Sequence, residues 1–384
     1  MGITENMAVL ARSASTVPTS TPTPTPPPKK NLLVNPFFQI IQEHPSGVTG
    51  IGNAVFPFDQ WRTFSGNTSA VIDVTQDTTG IFEEFGTKYA AKFDVTTADA
   101  SIAASDHFVI GQKIEAQNLQ HLKFGTANAV ELTTQFAWQG PKSGTHCCAL
   151  YNAQSNRSIT GTFEVTAANT PEIVTATFIG DTGGSAIPLS TTDGMHLYIP
   201  IIAGSNYQVA AGTWTASQKF ATADQQNLAD NAANNIYIGM VELVDGDTAN
   251  GDYYFPDFED DLRDCKRHWQ KSYDYAVAPG TNGAAGGIYQ AYNPICGAGV
   301  RVRHSWDLSV PMRATGSVTK YDTLGASGKF SILTGGGGTQ SHGWHRCYCG
   351  ASSAKTMFAY KDDSHQGMPS AYGYVGHWTN NARM

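Results

Sequence analysis

Between Tyr253 and Tyr273 the chain carries one amphipathic helical pattern, and the sequence on both sides of it reads as β structure. Phe258, Leu262, Cys265, Trp269 and Tyr273 recur at intervals of four, three, four and four, which places them on one side of a 3.6-residue helix. Pro256 interrupts any strand that precedes it, and Asp257 predicts an N-cap. Glu259, Asp260 and Asp261 fill the first turn and Arg267, His268 and Lys271 the last, so the charges oppose the helix dipole at both ends. Glu259 and Arg263 stand at the i,i+4 spacing of an ion pair. The helix start already accounts for these acids. The stretch 256–273 therefore reads as a structural helix bridging two β regions rather than as a metal or catalytic site.

Ahead of the helix, β-type runs fall at residues 69–74, 88–95, 108–114, 130–138, 147–151, 158–165, 173–179, 195–202 and 236–244. Clusters of Gly, Asn, Asp and Thr separate them, the punctuation of a jelly-roll-like β-sandwich over 31–255. The opening stretch NLLVNPFFQIIQEH reads as a further strand ended by Pro45 and Gly47, and 218–235 as a loop with a short helix. Behind the helix, runs at 300–306, 316–321, 329–333, 345–349, 356–360 and 374–379 predict a second, small β domain over 274–384. The fold class is mainly β.

Composition narrows the function classes. With a net charge of −8 and no basic run longer than Lys29-Lys30, the chain has nothing to neutralise a phosphate backbone, which argues against a nucleic-acid partner. No apolar stretch approaches the roughly 20 residues that span a bilayer, so membrane insertion is not expected. The N-terminus lacks a basic secretory leader, and the 6 cysteines form no disulfide framework; they read as reduced thiols of a protein made in a cytoplasm.

Residues 1–30 are a separate object. Thr16 to Pro28 alternates Pro and Thr and should extend as polyproline II at about 3.1 Å per residue. A short apolar plug containing Met7, Val9 and Leu10 precedes it, so the arm reads as an anchor docking into a partner protein. The plain alternative is a disordered tail.

Chemistry-bearing residues are sparse. His342, His345, Cys347 and Cys349 are the densest ligand-type group, but same-face strand residues lie about 6.6 Å apart, too far to close a tetrahedral zinc site alone. Asp245, Asp247 and Asp252 resemble a calcium loop at first sight and fail the EF-hand register at Ala249; a structural Ca²⁺ in this turn is the weak reading, a tight turn the plain one. No nucleophile elbow, zincin or P-loop motif is present, and Glu83, Glu84, Glu115 and Glu131 carry nothing that marks a glycosidase pair. No enzyme activity and no cofactor are expected. Trp61, Trp138, Trp214 and Trp269 fall within strand or helix patterns and read as core. Trp344, Tyr348, Tyr372, Tyr374 and Trp378 lie in or beside glycine-rich loops, where exposed rings would stack on sugar faces.

Several motifs, taken in order, resemble those of carbohydrate-binding-module-like β-sandwich domains in tail-fibre and other virion proteins of tailed bacteriophages. Asn31, Leu32, Asn35, Phe38, Ile40, Gln42, Asp59 and Trp61 match the opening pattern, Gln112, Ile114 and Glu115 a later strand, and Gly212 and Trp214 a Gly-x-Trp. Asp261, Leu262, Cys265, Arg267, Trp269 and Lys271 match the helix, Val310 to Arg313 a Val-Pro-Met-Arg strand, and Gly376 to Arg383 the closing strand. Ile41 replaces the usual Trp, the first domain is long, and the arm is not part of the pattern. The resemblance implies a homotrimeric, non-enzymatic virion fibre protein that joins other virion proteins through residues 1–30 and binds host surface polysaccharide. A purely structural neck, head or baseplate component and a glycan-degrading tailspike are the other readings that it leaves open.

Overall fold

The computed structural model describes residues 29–250, 253, 255–284, 289–291, 303–333, 339–340, 347–351, 353–361 and 373–384. Met7, Val9, Leu10, Asp252, His342, Trp344, His345 and Tyr372 lie outside these residues. Strands β1 (Trp61–Gly66), β2 (Val71–Asp77), β3 (Ala90–Thr97), β4 (His107–Glu115), β5 (Leu132–Gln139) and β6 (Gly144–Asn152) come first. Then follow β7 (Arg157–Val165), β8 (Glu172–Phe178), β9 (Asp193–Ala203), β10 (Thr215–Ala216) and β11 (Asn235–Asp245). Each β-type run read between residues 69 and 244 lands on one of them.

They form two antiparallel sheets, ordered β1-β4-β9-β6-β7-β10 and β2-β3-β11-β5-β8. The chain passes repeatedly from one sheet to the other, which makes a jelly-roll-like sandwich. Alternation supplies the reason. On β9, Leu197, Ile199 and Ile201 enter the core between the sheets, with Ile110 of β4 and Leu150 of β6, while His196 and Tyr198 face the other way. Trp61 and Trp138 are fully buried in that core and Trp214 nearly so, as their patterns predict.

The opening stretch differs from expectation. It is not a strand: Asn35 and Phe38 both take left-handed φ values of 54°, and Pro36 between them has no amide hydrogen to offer a ladder. The segment instead fastens onto a bulge in β11 between Gly239 and Glu242. Asn31 accepts from the Leu243 amide and donates to the Val241 carbonyl, and the Val241 amide donates to Pro36. Residues 218–235 hold turns and no helix.

Helix α1 (Phe258–Lys266) is shorter than its pattern. Asp257 caps it by accepting from the Glu259 amide, and Leu262 and Cys265 are buried. Arg263 pairs with Asp260 and not with Glu259. Trp269 leaves the helix altogether and opens strand β12 (Trp269–Lys271). A spacing of four is even, so Trp269 and Tyr273 satisfy the period of a strand as well as that of a helix; pairing with the last strand decides between them.

Beyond it run β13 (Tyr289–Ala291), β14 (Arg303–Asp307), β15 (Ser317–Tyr321), β16 (Ser331–Leu333), β17 (Thr339–Gln340), β18 (Cys347–Ala351), β19 (Thr356–Lys361) and β20 (Gly373–Asn381). β20 pairs with β12, β13, β15 and β16, while β14, β19 and β18 make a separate three-stranded sheet.

Candidate functional site

Most of the sequence motifs, the Gly212 and Trp214 pair apart, converge on one place: the junction between the sandwich and the C-terminal strands. Asn35 donates to the carbonyls of Ile40 and Asp59 and accepts from the Ile40 amide. Its own carbonyl takes the Trp61 indole and its amide donates to Asp261. Asp59, buried, accepts from the Gln42 amide and side chain, and Gln42 reaches on to the Trp269 carbonyl. Lys271 spends its ammonium on the carbonyls of Gln42, Tyr275 and Val277; burial lowers it to about 8. Arg267 grips Glu115, and Arg313 holds the carbonyls of Thr191 and Ala382. Arg383 pairs with Glu43 and lies over the rings of Phe56 and Trp269. Burial and the charges of Arg313, Arg267 and Arg383 push His268 down to about 3, so it is neutral. Most donors and acceptors here satisfy one another across long sequence separations, while His268 Nδ1 and Arg383 Nε and Nη2 are buried without a hydrogen-bond partner. This is a structural lock, with its acids already engaged.

The aspartate-rich turn has a comparable job. Asn250 accepts from the Lys29 amide and donates to the Lys29 carbonyl, and its side chain and amide are held by buried Glu242. Lys29 Nζ reaches the Thr248 carbonyl. The described part of the turn thus clasps the root of the arm, beside a groove of about 470 Å³ lined by Lys30, Leu33, Pro36, Pro256, Asp261 and Arg263. Asp247 takes the Thr248 hydroxyl. Among the described residues no three His, Cys, Asp or Glu side chains gather in a metal-holding group, and no helix is long and apolar enough to cross a membrane.

Of the predicted aromatic site, Trp378 is buried, packed with Leu308, Met312, Met357 and Ala382. Its ring is core, covered by these side chains. Tyr348 and Tyr374 lie on β18 and β20, and their side chains are outside the described residues, as are those of Cys347 and Cys349.

Sequence reading missed the outer face of the six-stranded sheet. Register aligns Arg62 with Gly111 and Gly111 with Tyr198, then Lys113 with His196 and Tyr151 with His196. Phe64 packs edge-on to Tyr198 at 5.0 Å, Tyr151 edge-on to His196 at 5.0 Å, and Phe220 against Tyr198 and Tyr207. Gly111 is required here: a Cβ would stand 2.5 Å from the Leu197 carbonyl oxygen, 2.8 Å from the Tyr198 ring and 3.3 Å from Phe64. Phe64, Tyr151 and Tyr207 stay half-buried at the rim.

Beneath the rings runs a polar relay. Gln218 donates to the Tyr198 hydroxyl, which meets His196 Nδ1; His196 Nε2 lies 2.6 Å from Asp193, whose other oxygen takes Lys113 Nζ at 2.8 Å. Burial lowers His196, so it is the neutral imidazole, assigned by its partners to donate through Nε2 and accept from Tyr198. Burial alone would raise Asp193, but the bonds from His196 and Lys113 outweigh it and hold its carboxyl below the usual range. The relay fixes ring orientation, and neither oxygen of Asp193 is left over to serve as a base. The signal in the sequence was the alternation itself: Arg62 and Phe64 flank buried Thr63, and His196 and Tyr198 flank buried Leu197.

A scan of the sequence against protein families gives no match, and a search of curated proteins gives none. Among solved structures, the enzymatically active domain of bacteriophage CBA120 tailspike protein 4 aligns over 56% of this chain at 10% identity, TM-score 0.30. The aligned part spans only 21% of that domain's chain. TmCBM61 in complex with β-1,4-galactotriose aligns over 56% of this chain and 99% of its own, at 13% identity and TM-score 0.29. The family 11 carbohydrate-binding module of a Clostridium thermocellum cellulosomal cellulase aligns over 52% and 95%, at 9% identity and TM-score 0.25. The likenesses are distant, and the sandwich is assigned from its own strand pairings.

Proposed function

We propose that this chain is a non-enzymatic tailed-phage virion fibre protein whose β-sandwich binds host surface glycan on the outer face of the six-stranded sheet. One observation carries the binding reading. Phe64 and Tyr151 are held half-exposed on the sheet and Tyr207 in the turn after β9, with Arg62 and Lys113 on the same face, a combination of ring faces and polar groups that suits a sugar. The virion assignment rests on the motif resemblance, and the clasp at Lys29 supports an anchoring arm by fixing where it leaves the body. Copies displayed together in a trimer would convert weak stacking into useful avidity.

Titrating the full chain with purified host polysaccharide tests the reading. The protein should bind, and Phe64→Ala and Tyr151→Ala should each weaken binding several-fold with the melting temperature nearly unchanged. Absence of binding, together with normal phage adsorption by both variants, points to the second reading, a structural virion component. The lock between sandwich and C-terminal strands favours that alternative, since it stiffens the body without exposing a ligand.

A further inference from the structure

The outer sheet face contains a cation, Arg62, that no carboxylate compensates among the described residues. Arg62 is half-buried on β1, its guanidinium carbon 4.9 Å from the centre of the Phe64 ring. Its Nε is shut off from solvent and has no hydrogen-bond partner, and no carboxylate pairs with Arg62 among the described residues. The neighbouring charges cancel. Lys113 is neutralised by Asp193, and burial keeps His196 neutral against the pull of Asp193. Arg62 is therefore left without a compensating carboxylate beside these rings, on a chain whose total is −8.

A desolvated arginine donor without a partner costs stability. Solubility does not call for it, because an acidic chain gains nothing there from a cation half-sunk among aromatic rings. The terminal nitrogens of Arg62 are not shut off as Nε is, and a ligand carboxylate would supply them with an acceptor. Guanidinium recognises that group through paired, parallel N–H···O bonds, and the Phe64 ring beneath its carbon helps to hold Arg62 in place.

We infer that the ligand of this face is an acidic, carboxylate-bearing glycan, with Arg62 as its recognition residue. The inference rests on the glycan-binding reading above and specifies its substrate class. Rings at Phe64 and Tyr151 would take the apolar faces of adjacent sugars, while Arg62 selects the unit that carries the carboxylate.

The test uses the full chain with uronate-containing and sialylated oligosaccharides, each beside its carboxyl-reduced neutral counterpart. Binding should favour the carboxylated form by about tenfold or more, the worth of one charge-assisted hydrogen bond. It should also weaken as salt screens the charge. Arg62→Gln should remove the preference, and Arg62→Lys, which keeps the charge and loses the fork, should restore part of it. The salt series and the neutral counterparts need no variant, so they decide the matter even if Arg62→Gln unfolds. Equal affinity for acidic and neutral forms, unchanged in Arg62→Gln, overturns the acidic assignment and leaves glycan binding standing. No binding to any member overturns both.

Discussion

Arg267 closes a two-pronged ion pair on Glu115, each bond 2.9 Å long, although the two residues lie 152 apart in the sequence. Glu115 ends a strand of the sandwich and Arg267 follows helix α1, so this contact joins the first β region to the strands that come after the helix. The carboxylate is almost wholly buried, which makes the pair obligatory: without the guanidinium it would be a charge in a low-dielectric site.

Glu115→Gln should accordingly lower stability by about 2–3 kcal/mol. Breaking a fully buried pair costs roughly 3–5 kcal/mol, and the partial exposure of Arg267 reduces that. Urea unfolding monitored by tryptophan fluorescence measures it. A loss below about 0.5 kcal/mol would mean that the junction tolerates separation of its halves.

The apolar side of the helix and the strand after it should dominate the cost of truncation. Leu262→Ala and Trp269→Ala should each destabilise by about 2–5 kcal/mol, and Trp378→Ala by about 3–5 kcal/mol. Asp260→Asn touches only an exposed ion pair with Arg263 and should change stability by less than about 0.5 kcal/mol. The same unfolding curves rank all four. A fully stable Trp378→Ala would contradict its place in the C-terminal core.

Two buried groups should pull the pH dependence in opposite directions. His268 sits near 3 in the fold against an ordinary 6.5, so only the unfolded chain takes up its proton between these values, and stability falls as pH drops through that window. Burial raises Asp261 to about 6 against 3.8, so the folded chain binds its proton first, and its contribution is lost as pH rises towards 6. His268→Gln should flatten the acid-side loss of stability, whereas Asp261→Asn should steepen it. Denaturant midpoints at pH 4.5 and 7 for each variant check the signs; identical slopes would sink the assignment.

The root of the arm should loosen without disturbing the body when its clasp is removed. Asn250→Ala breaks both backbone bonds to Lys29. Hydrogen exchange at residues 29–31 should accelerate while the strands of the sandwich keep their protection. Deleting residues 1–28 should leave a folded protein that fails to enter particles, and normal incorporation would show that the arm is dispensable.

The sequence alone determined the placement of nine sandwich strands, though not of β1 or β10, because period-two alternation is a local property and the two-sheet core requires it. It likewise determined the Asp257 cap and the buried indoles of Trp61 and Trp138. The motifs were legible as residues but not as contacts: Asn35, Glu115, Arg267 and Arg313 acquire their roles only where distant segments meet. Only the tertiary structure decided that Trp269 is a strand residue, since its spacing from Tyr273 fits either period and pairing with Asn381 resolves it. The same holds for the outer sheet face. Arg62, Gly111, Tyr151 and His196 become neighbours through strand register, and register is fixed by burying the opposite face, a non-local free energy that no single stretch of the chain contains.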